Sequence, residues 1–230
     1  MINYETKIDW NRFFKEVDLI HNDQPILLEN FIPNPENFLS WKEVENALNS
    51  YIFYWEIFDG FSKLDLPQEH SKYLPPYFSK ESLQSHIKEG KTFIISKYSI
   101  SNSYTKALCS EIESLFPVTV DMHVYGSKGN TSSSFPYHFD LPSNFIIQTY
   151  GECEWKVYSN FPSTLIQDSH PDLNIDKLDK VLHTTLKPGD MLYIPSRFYH
   201  AAFPNQPRLS VSIPCTPGVK GRVDKNYYEI

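Results

Sequence analysis

The chain has 230 residues, 40% of them apolar and 21% charged, which is the composition of a folded globular protein with a sizeable core. Its 28 acidic and 21 basic residues give a net charge of −7, and because no block of five or more Lys/Arg occurs we expect no nucleic-acid partner. The chain has no long apolar run and no signal-peptide pattern, which argues against a membrane partner and against secretion. Its cysteines are not closely spaced, which argues against a disulfide framework and predicts a soluble protein of the reducing cytoplasm.

The first half of the chain carries helical patterns separated by short strands. Asp9 is placed to cap a helix whose apolar residues recur at helical spacing. Asn34, followed by Pro35 at the first helical position, is placed to start a second helix. In chain order the predicted elements are a helix carrying Trp10, Phe13, Phe14 and Val17, a strand from Pro25, one helix from Asn34 carrying Phe38, Trp41, Val44 and Leu48, a helix over 79–89 ended by Gly90, a strand over 92–98 and a helix over 102–116.

The second half of the chain changes to short β-strand patterns. Aromatic rings suit a pleated, half-buried surface, and the chain contains 16 Phe, 15 Tyr and 4 Trp. Because no crossover helices separate these strands, we predict an antiparallel sandwich or jelly-roll barrel with helices packed outside it. We expect one domain, with a helical jacket and the first strands in 1–117, the barrel in 118–213 and a tail in 214–230. The predicted strands cover 118–125, 144–150, 153–158, 190–195, 198–203 and 208–213.

The strongest candidate for chemistry is the triplet formed by His138, Phe139 and Asp140. On a strand, residues i and i+2 project from the same face, so His138 and Asp140 can share one metal ion. Two other His-x-Asp triplets occur, at 21–23 and 170–172. Only His138 leads directly into a strand of the predicted barrel, so we place the site there.

A second imidazole follows the predicted turn at 188–190. The apolar strand after that turn leads through a further turn to His200, on the next predicted strand. The barrel would bring His200 near His138 and Asp140. Two His and one carboxylate form the facial triad of non-haem Fe(II) oxygenases, which leaves three coordination positions open. The alternative is that both histidines are ordinary surface or half-buried residues.

The stretch from Val118 to Tyr158, together with residues 186–203, resembles the JmjC-type oxygenases of the cupin superfamily. The nearest likeness is to the ribosomal oxygenases and the asparaginyl hydroxylases; it is specific across 118–213 and weaker from Gln24 to Leu28. It implies a mainly β fold with flanking helices, the double-stranded β-helix or jelly roll. It also implies an enzyme that uses Fe(II), 2-oxoglutarate and O₂, with no catalytic residue beyond the metal ligands. The residues at the family's ligand positions are His138, Asp140 and His200.

The co-substrate position departs from this family pattern. Relatives carry a Lys or Arg fifteen residues after the first His, where it pairs with the far carboxylate of 2-oxoglutarate, and here that residue is Cys153. A thiol cannot form such a charge-assisted contact. Arg208 and Ser210 share one strand face and offer a guanidinium fork beside a hydroxyl, so we prefer them. The alternative for Arg208 is a solvated charge at a strand edge. Lys156 is the alternative cation, and it has the wrong strand parity unless a bulge shifts the register.

Other polar residues share the parity of the candidate site. Asn144 matches an Asn that contacts the co-substrate in the asparaginyl hydroxylases, and its alternative is an ordinary turn residue. Gln148 has the same parity. Tyr125 shares a face with His123 on a strand that the resemblance places beside the co-substrate, where a phenol can donate to a carboxylate; a packed core aromatic is the alternative. Trp155 is expected in the core.

The resemblance therefore implies hydroxylation of a C–H bond with release of succinate and CO₂. One alternative is a barrel that binds or scaffolds without oxidising anything, for which Cys153 is the best support; another is a metal-dependent cupin enzyme that does not use 2-oxoglutarate. The sequence ends soon after Ile213, without the dimerisation and winged-helix segments of the ribosomal oxygenases. We therefore expect an amino acid, a peptide or a small metabolite as substrate, and allow for a homodimer as the other partner.

Overall fold

The computed structural model describes residues 6–16, 24–72, 74–129, 137–159 and 178–217. In these ranges the α-helices are α1 (Trp10–Glu16), α2 (Trp41–Ala47), α3 (Lys80–Lys88) and α4 (Ser103–Leu115). The strands are β1 (Ile26–Leu28), β2 (Tyr54–Asp59), β3 (Ser62–Lys63), β4 (Gln68–Ser71), β5 (Leu74–Phe78), β6 (Thr92–Ser96), β7 (Val118–Val120), β8 (His123–Ser127), β9 (Ser143–Tyr150), β10 (Cys153–Tyr158), β11 (Lys180–Leu186), β12 (Met191–Ile194), β13 (Tyr199–Pro204) and β14 (Arg208–Pro217).

Polar side chains begin three of the helices at the predicted positions. The Asp9 carboxylate accepts the backbone N–H groups of Asn11 and Arg12 at 3.1 and 3.2 Å, at the start of α1. Ser79 caps α3, and Asn102 caps α4 by accepting two backbone N–H groups at 2.9 Å. Such caps satisfy amide groups that have no partner within the helix. The predictions of these three helices are confirmed.

The prediction of one helix from Asn34 to Leu48 is wrong. A short 3₁₀ turn at Pro35–Asn37 is separated from α2 by Ser40, whose extended backbone cannot belong to a helix. The Ser40 hydroxyl accepts the N–H of Glu43 and so starts α2 afresh. Leu39, between the two elements, is fully buried. Tertiary packing therefore decides where the chain leaves one helical segment and enters the next.

Strands also occur where none was predicted. Residues 54–78 contain β2 to β5, and β11 adds a further strand in the second half. Because β2 pairs with both β3 and β6, the first half of the chain contributes to the main sheet and is not only a helical jacket. β14 extends to Pro217, beyond the predicted end of the barrel. Outside the described residues lie Val17, the triplets at 21–23 and 170–172, and the predicted tail beyond 217.

The strands form one large antiparallel sheet and two small ones. The nine-stranded sheet has the order β1-β12-β9-β14-β8-β6-β2-β3, with β7 paired to β14. A three-stranded sheet has the order β11-β10-β13, and β4 pairs with β5. The predicted antiparallel, mainly β fold with flanking helices is confirmed. None of the described helices is long and apolar enough to cross a membrane.

Alternation along β14 gives the large sheet two different faces. Leu209 and Val211 join the main hydrophobic core, which also contains Phe13 of α1. Arg208 and Ser210 line a cavity on the other face, together with residues of β10 and β13 from the three-stranded sheet. Because successive side chains of a strand project to opposite faces, one strand serves both the core and the cavity.

The turn between β9 and β10 requires glycine at position 151. Gly151 has a φ of +65°, and an added Cβ would lie 2.0 Å from the carbonyl oxygen of Pro207. We expect Gly151→Ala to lower the free energy of unfolding in urea by about 3 kcal/mol, from left-handed strain plus this clash. Gly60→Ala is the matched control, because Gly60 has a φ of +58° and nothing within 4 Å of an added Cβ. It should cost only about 1 kcal/mol, and equal losses in the two variants would contradict the clash.

Candidate metal centre

Three side chains with metal-binding atoms converge in the cavity. One such atom from each of His138, Asp140 and His200 lies within 4.8 Å of the other two. Nε2 of His200 is 3.6 Å from Oδ2 of Asp140, and the centroids of the two imidazole rings are 4.5 Å apart. In the part of the chain that the structure describes, this is the one group of three His, Cys, Asp or Glu side chains close enough to share an ion. The structure thus brings the three predicted ligands together.

Backbone hydrogen bonds between distant segments present these ligands. His138 donates its backbone N–H to the carbonyl of His200 at 3.2 Å, and His200 donates back to the carbonyl of His138 at 2.8 Å. The carbonyl of Asp140 accepts the N–H of Arg197 at 2.8 Å. His138 therefore lies in an isolated bridge rather than in a regular strand, just before β9. Docking against the segment around β13 fixes its position.

The electrostatics of His200 suit a metal ligand. Its Nδ1 lies 2.9 Å from the carbonyl oxygen of Phe198, which can only accept, so Nδ1 carries the proton and Nε2 is the free ligand atom. Burial is the main cause that lowers the pKa of His200, and the charge of the neighbouring His138 is the second. The imidazole is therefore neutral at neutral pH, which is the form that binds metals. Two imidazoles and one carboxylate fit a divalent first-row metal such as Fe(II).

The same cavity contains a buried cation in a chain of hydrogen bonds. Nη1 of Arg208 donates to Oγ of Ser210 at 3.0 Å, and that hydroxyl donates to Oε1 of Gln148 at 2.7 Å. Gln148 Nε2 donates in turn to the carbonyls of Tyr150 and Gly151 at 2.8 and 3.1 Å. Arg208, Ser210 and Gln148 are each at most 1% exposed. The cavity is lined by Tyr125, His138, Asp140, Ile146, Trp155, His200, Ala202, Arg208, Ser210 and Ser212.

Tyr125 lines the cavity beside this chain. It pairs with Ser210 across β8 and β14. Desolvation is the main cause that raises the pKa of Tyr125 above its ordinary value, and the negative charge of Asp140 is the second. The positive charge of Arg208 opposes this shift. The phenol therefore keeps its proton at neutral pH and can donate a hydrogen bond to an anion.

Cys153 stands where the resemblance leads us to expect a basic residue. Like the other two cysteines it is a buried free thiol. Burial raises the pKa of Cys153, and the guanidinium of Arg208 opposes that shift, which means that the two groups are close enough to interact. The thiol stays neutral. The positive charge near this position therefore comes from Arg208 on β14 and not from residue 153 on β10.

Lys156, the alternative cation, is not brought to the cavity. It lies on β10 between Trp155 and Val157, and its ammonium is 3.2 Å from the carboxylate of Glu154 and 4.5 Å from the ring centroid of Phe203. The register shift in the pairing of β10 with β11 comes only after Val157. No bulge therefore turns Lys156 inward, and Arg208 is the basic residue among the described cavity residues.

Two residues have surroundings that the sequence did not predict. Trp155 belongs to a hydrophobic cluster, as expected, but it also lines the cavity, 6.0 Å from His200 between ring centroids. Its buried Nε1 has no hydrogen-bond partner among the described residues. Asn144 is buried, and its amide donates to Asp140 at 2.6 Å. Trp155 lies two residues after Cys153 on β10, so the two side chains share one strand face, and this spacing is a sequence signal for its place in the cavity. No sequence signal pairs Asn144 with Asp140.

Comparison with known proteins gives a consistent family likeness. A JmjC domain model matches residues 96–220. The chain is 27% identical over 179 residues to a Drosophila persimilis protein named bifunctional lysine-specific demethylase and histidyl-hydroxylase NO66, covering 77% of this chain and 24% of that protein. It is 39% identical over 74 residues to human ribosomal oxygenase 1, covering 31% of this chain and 12% of that protein.

Solved structures show the same fold. The Escherichia coli ycfD structure superposes with a TM-score of 0.66 at 20% identity, covering 99% of this chain and 56% of that one. A structure of the same ribosomal oxygenase in complex with cobalt and 2-oxoglutarate has a TM-score of 0.61 at 18% identity, covering 92% of this chain and 52% of that one. The predicted double-stranded β-helix is thereby confirmed. The chain spans about a quarter of the first curated relative and about half of these solved chains.

Proposed function

The chain belongs to the JmjC domain family, and we propose that it is an Fe(II)- and 2-oxoglutarate-dependent oxygenase that hydroxylates a C–H bond of an amino acid, peptide or small metabolite. The observation that carries this proposal is the convergence of His138, Asp140 and His200 in a cavity that also contains a buried arginine. The cobalt and 2-oxoglutarate complex of the ribosomal oxygenase supports both ligands, with cobalt standing in for Fe(II).

The triad would hold the metal and leave coordination positions for the co-substrate and O₂. Fe(II) bound there supplies the redox chemistry that couples oxidation of 2-oxoglutarate to succinate and CO₂ with hydroxylation of the substrate. The protein's own contribution is to hold His200 as a neutral imidazole and to fix the spacing of His138 and His200 through their paired backbone hydrogen bonds.

Arg208 would bind the far carboxylate of 2-oxoglutarate, with Ser210, whose one hydroxyl proton goes to Gln148, holding the guanidinium in place. A guanidinium offers a planar fork of donors that matches a carboxylate, and its burial strengthens the interaction by excluding water. Ser210 is fixed by Gln148, so the hydroxyl beside the guanidinium has a defined place. Tyr125, protonated and lining the same cavity, would donate a third hydrogen bond.

The buried indole of Trp155 supports an oxygen-rich ligand in this cavity. A buried N–H without an acceptor costs free energy, and Nε1 of Trp155 has none among the described residues. A carboxylate held between the triad and Arg208 would bring acceptor oxygens to this region. A purely apolar ligand would leave the indole N–H unsatisfied.

The part of the large sheet that continues from the cavity residue Ser212 favours a peptide among the three substrate classes. Ser212 of β14 pairs with His123 of β8, whose Nδ1 is 3.1 Å from Oγ of Ser96 on β6, and Ser96 pairs with Tyr54 of β2. This row crosses four neighbouring strands, or about 14 Å. Such a row of hydrogen-bonding groups is longer than a free amino acid and matches an extended peptide of about four residues.

The test is turnover of 2-oxoglutarate by the purified protein with Fe(II), screened with amino acids and short peptides. We expect succinate from the intact protein and at least about a 100-fold loss in His138→Ala, because one of three ligands is removed. His183→Ala is the matched control, since His183 lies on the surface of β11, bonded to Glu154. Equal succinate in His138→Ala would overturn the proposal; metal binding without any succinate would favour a binding module.

A further inference from the structure

Asn144 is a buried amide whose two ends are both held. It is 2% exposed, on β9, between Ile194 of β12 and Pro214 of β14. Its Nδ2 donates to Oδ2 of Asp140 at 2.6 Å, and its Oδ1 accepts from the hydroxyl of Ser212 at 3.4 Å. Because a carboxylate can only accept and the hydroxyl can donate, these neighbours fix which end of the amide faces Asp140.

Asp140 lies in a segment with little regular strand pairing. Its side chain is 41% exposed, and its segment before β9 is held by the isolated bridge of His138 and by the hydrogen bond from the N–H of Arg197 to the carbonyl of Asp140. Asn144, in contrast, is in a strand paired on both sides. A residue with a fixed backbone therefore restrains the rotation of a carboxylate on a less regular segment.

We propose that Asn144 is a positioning residue that holds Asp140 in the orientation required for metal binding, with Ser212 as its support. This inference rests on the proposed metal site, and it gives Asn144 a role toward the metal beside the co-substrate contact that the resemblance implies. A hydrogen bond from an amide to a metal-binding carboxylate restricts the ligand before the metal arrives, so less order is lost on binding.

The test measures Co(II) binding to the protein without 2-oxoglutarate, by calorimetry and by the visible absorption of bound Co(II). We expect Asn144→Leu, which keeps the size of the side chain and removes the donor, to raise the dissociation constant for Co(II) about 10- to 100-fold and to change the absorption spectrum. Ser212→Ala should raise it by a smaller factor, because the amide is kept and loses only its support.

Thr149→Val is the matched control for loss of a buried hydrogen bond on β9. Thr149 is 5% exposed and donates to the carbonyl of Leu209, and it is not a cavity residue. We expect it to bind Co(II) as the intact protein does. Tight binding by Asn144→Leu with an unchanged spectrum would overturn the inference, provided that His138→Ala binds weakly. If His138→Ala also binds Co(II) as tightly as the intact protein, the metal site itself is refuted together with the proposed function.

Discussion

Replacing His200 with alanine should weaken Co(II) binding more than about 100-fold and abolish the stabilisation of the protein by metal. Second-sphere changes at metal sites cost about 10- to 100-fold in affinity, so loss of a direct ligand is expected to cost more. His200 contributes a neutral imidazole whose Nε2 is free and whose Nδ1 is tied to Phe198. No other described His, Cys, Asp or Glu is grouped with His138 and Asp140 to replace it.

The measurement is thermal unfolding with and without Co(II). At a free concentration about 100 times the dissociation constant, a ligand that binds only the folded state stabilises it by about 2.7 kcal/mol, or roughly 5–10 °C for a chain of this size. We expect this rise in the intact protein and in His183→Ala, and a rise of at most about 2 °C in His200→Ala at the same Co(II) concentration. Because each variant is compared with itself with and without metal, any effect of lost packing at His200 on the unfolding temperature cancels. A full rise in His200→Ala would mean that Co(II) binds elsewhere.

The helices were predictable where a local signal marks both the start and the buried stripe. Asn102 and the apolar spacing that follows it are sufficient for α4. The break at Ser40 was not predictable, because a serine inside a helical pattern looks the same whether it continues the helix or caps a new one. The deciding factor is the burial of Leu39, which depends on the rest of the fold.

β2 was missed although its pattern alternates. Trp55 and Ile57 are buried, and Glu56 between them is more exposed. Its main partner is β6, which is separated from it in the chain by β3, β4, β5 and α3. A local sequence pattern does not predict such a distant pairing. The first half was therefore predicted as a helical jacket with two strands, when it also supplies β2 and β3 to the large sheet.

The convergence of the three proposed ligands was predictable and their surroundings were not. The i, i+2 spacing of His138 and Asp140 and the strand order leading to His200 suffice to select the triad. The hydrogen bond from Asn144 to Asp140 depends on how the segment before β9 docks, which spacing does not encode. Parity was enough to predict that Trp155 and Lys156 lie on opposite faces of β10, with Trp155 in the cavity lining and Lys156 outside it.

Replacing Arg208 with methionine should weaken 2-oxoglutarate binding to the Co(II)-loaded protein about 30-fold or more, equivalent to about 2 kcal/mol. Arg208 is 1% exposed, lines the cavity and is held by Ser210, so its charge acts in a site from which water is largely excluded. Methionine keeps most of the length of the side chain and removes the charge. Calorimetric titration without O₂ measures binding alone.

Lys156→Met is the matched control for this change. It removes the same charge from the neighbouring part of the barrel, but Lys156 interacts with Glu154 and Phe203 outside the cavity. We expect its affinity for 2-oxoglutarate to stay within about twofold of the intact protein, as for a surface charge. The reverse outcome, with Lys156→Met weak and Arg208→Met unaffected, would assign the co-substrate to β10 instead.

A relocated charge tests why Cys153 is tolerated at the position where relatives carry a basic residue. If Arg208 supplies the one cation that the cavity needs, a lysine at 153 should restore binding only when Arg208 is absent. We expect the double variant Arg208→Met, Cys153→Lys to bind 2-oxoglutarate more tightly than Arg208→Met by about tenfold. Cys153→Lys alone should destabilise the fold, because it places two like charges in one buried site. A gain in 2-oxoglutarate affinity from Cys153→Lys without Arg208, and none with it, would show that the two residues are coupled, whereas equal gains in both backgrounds would mean that Cys153 and Arg208 serve different purposes.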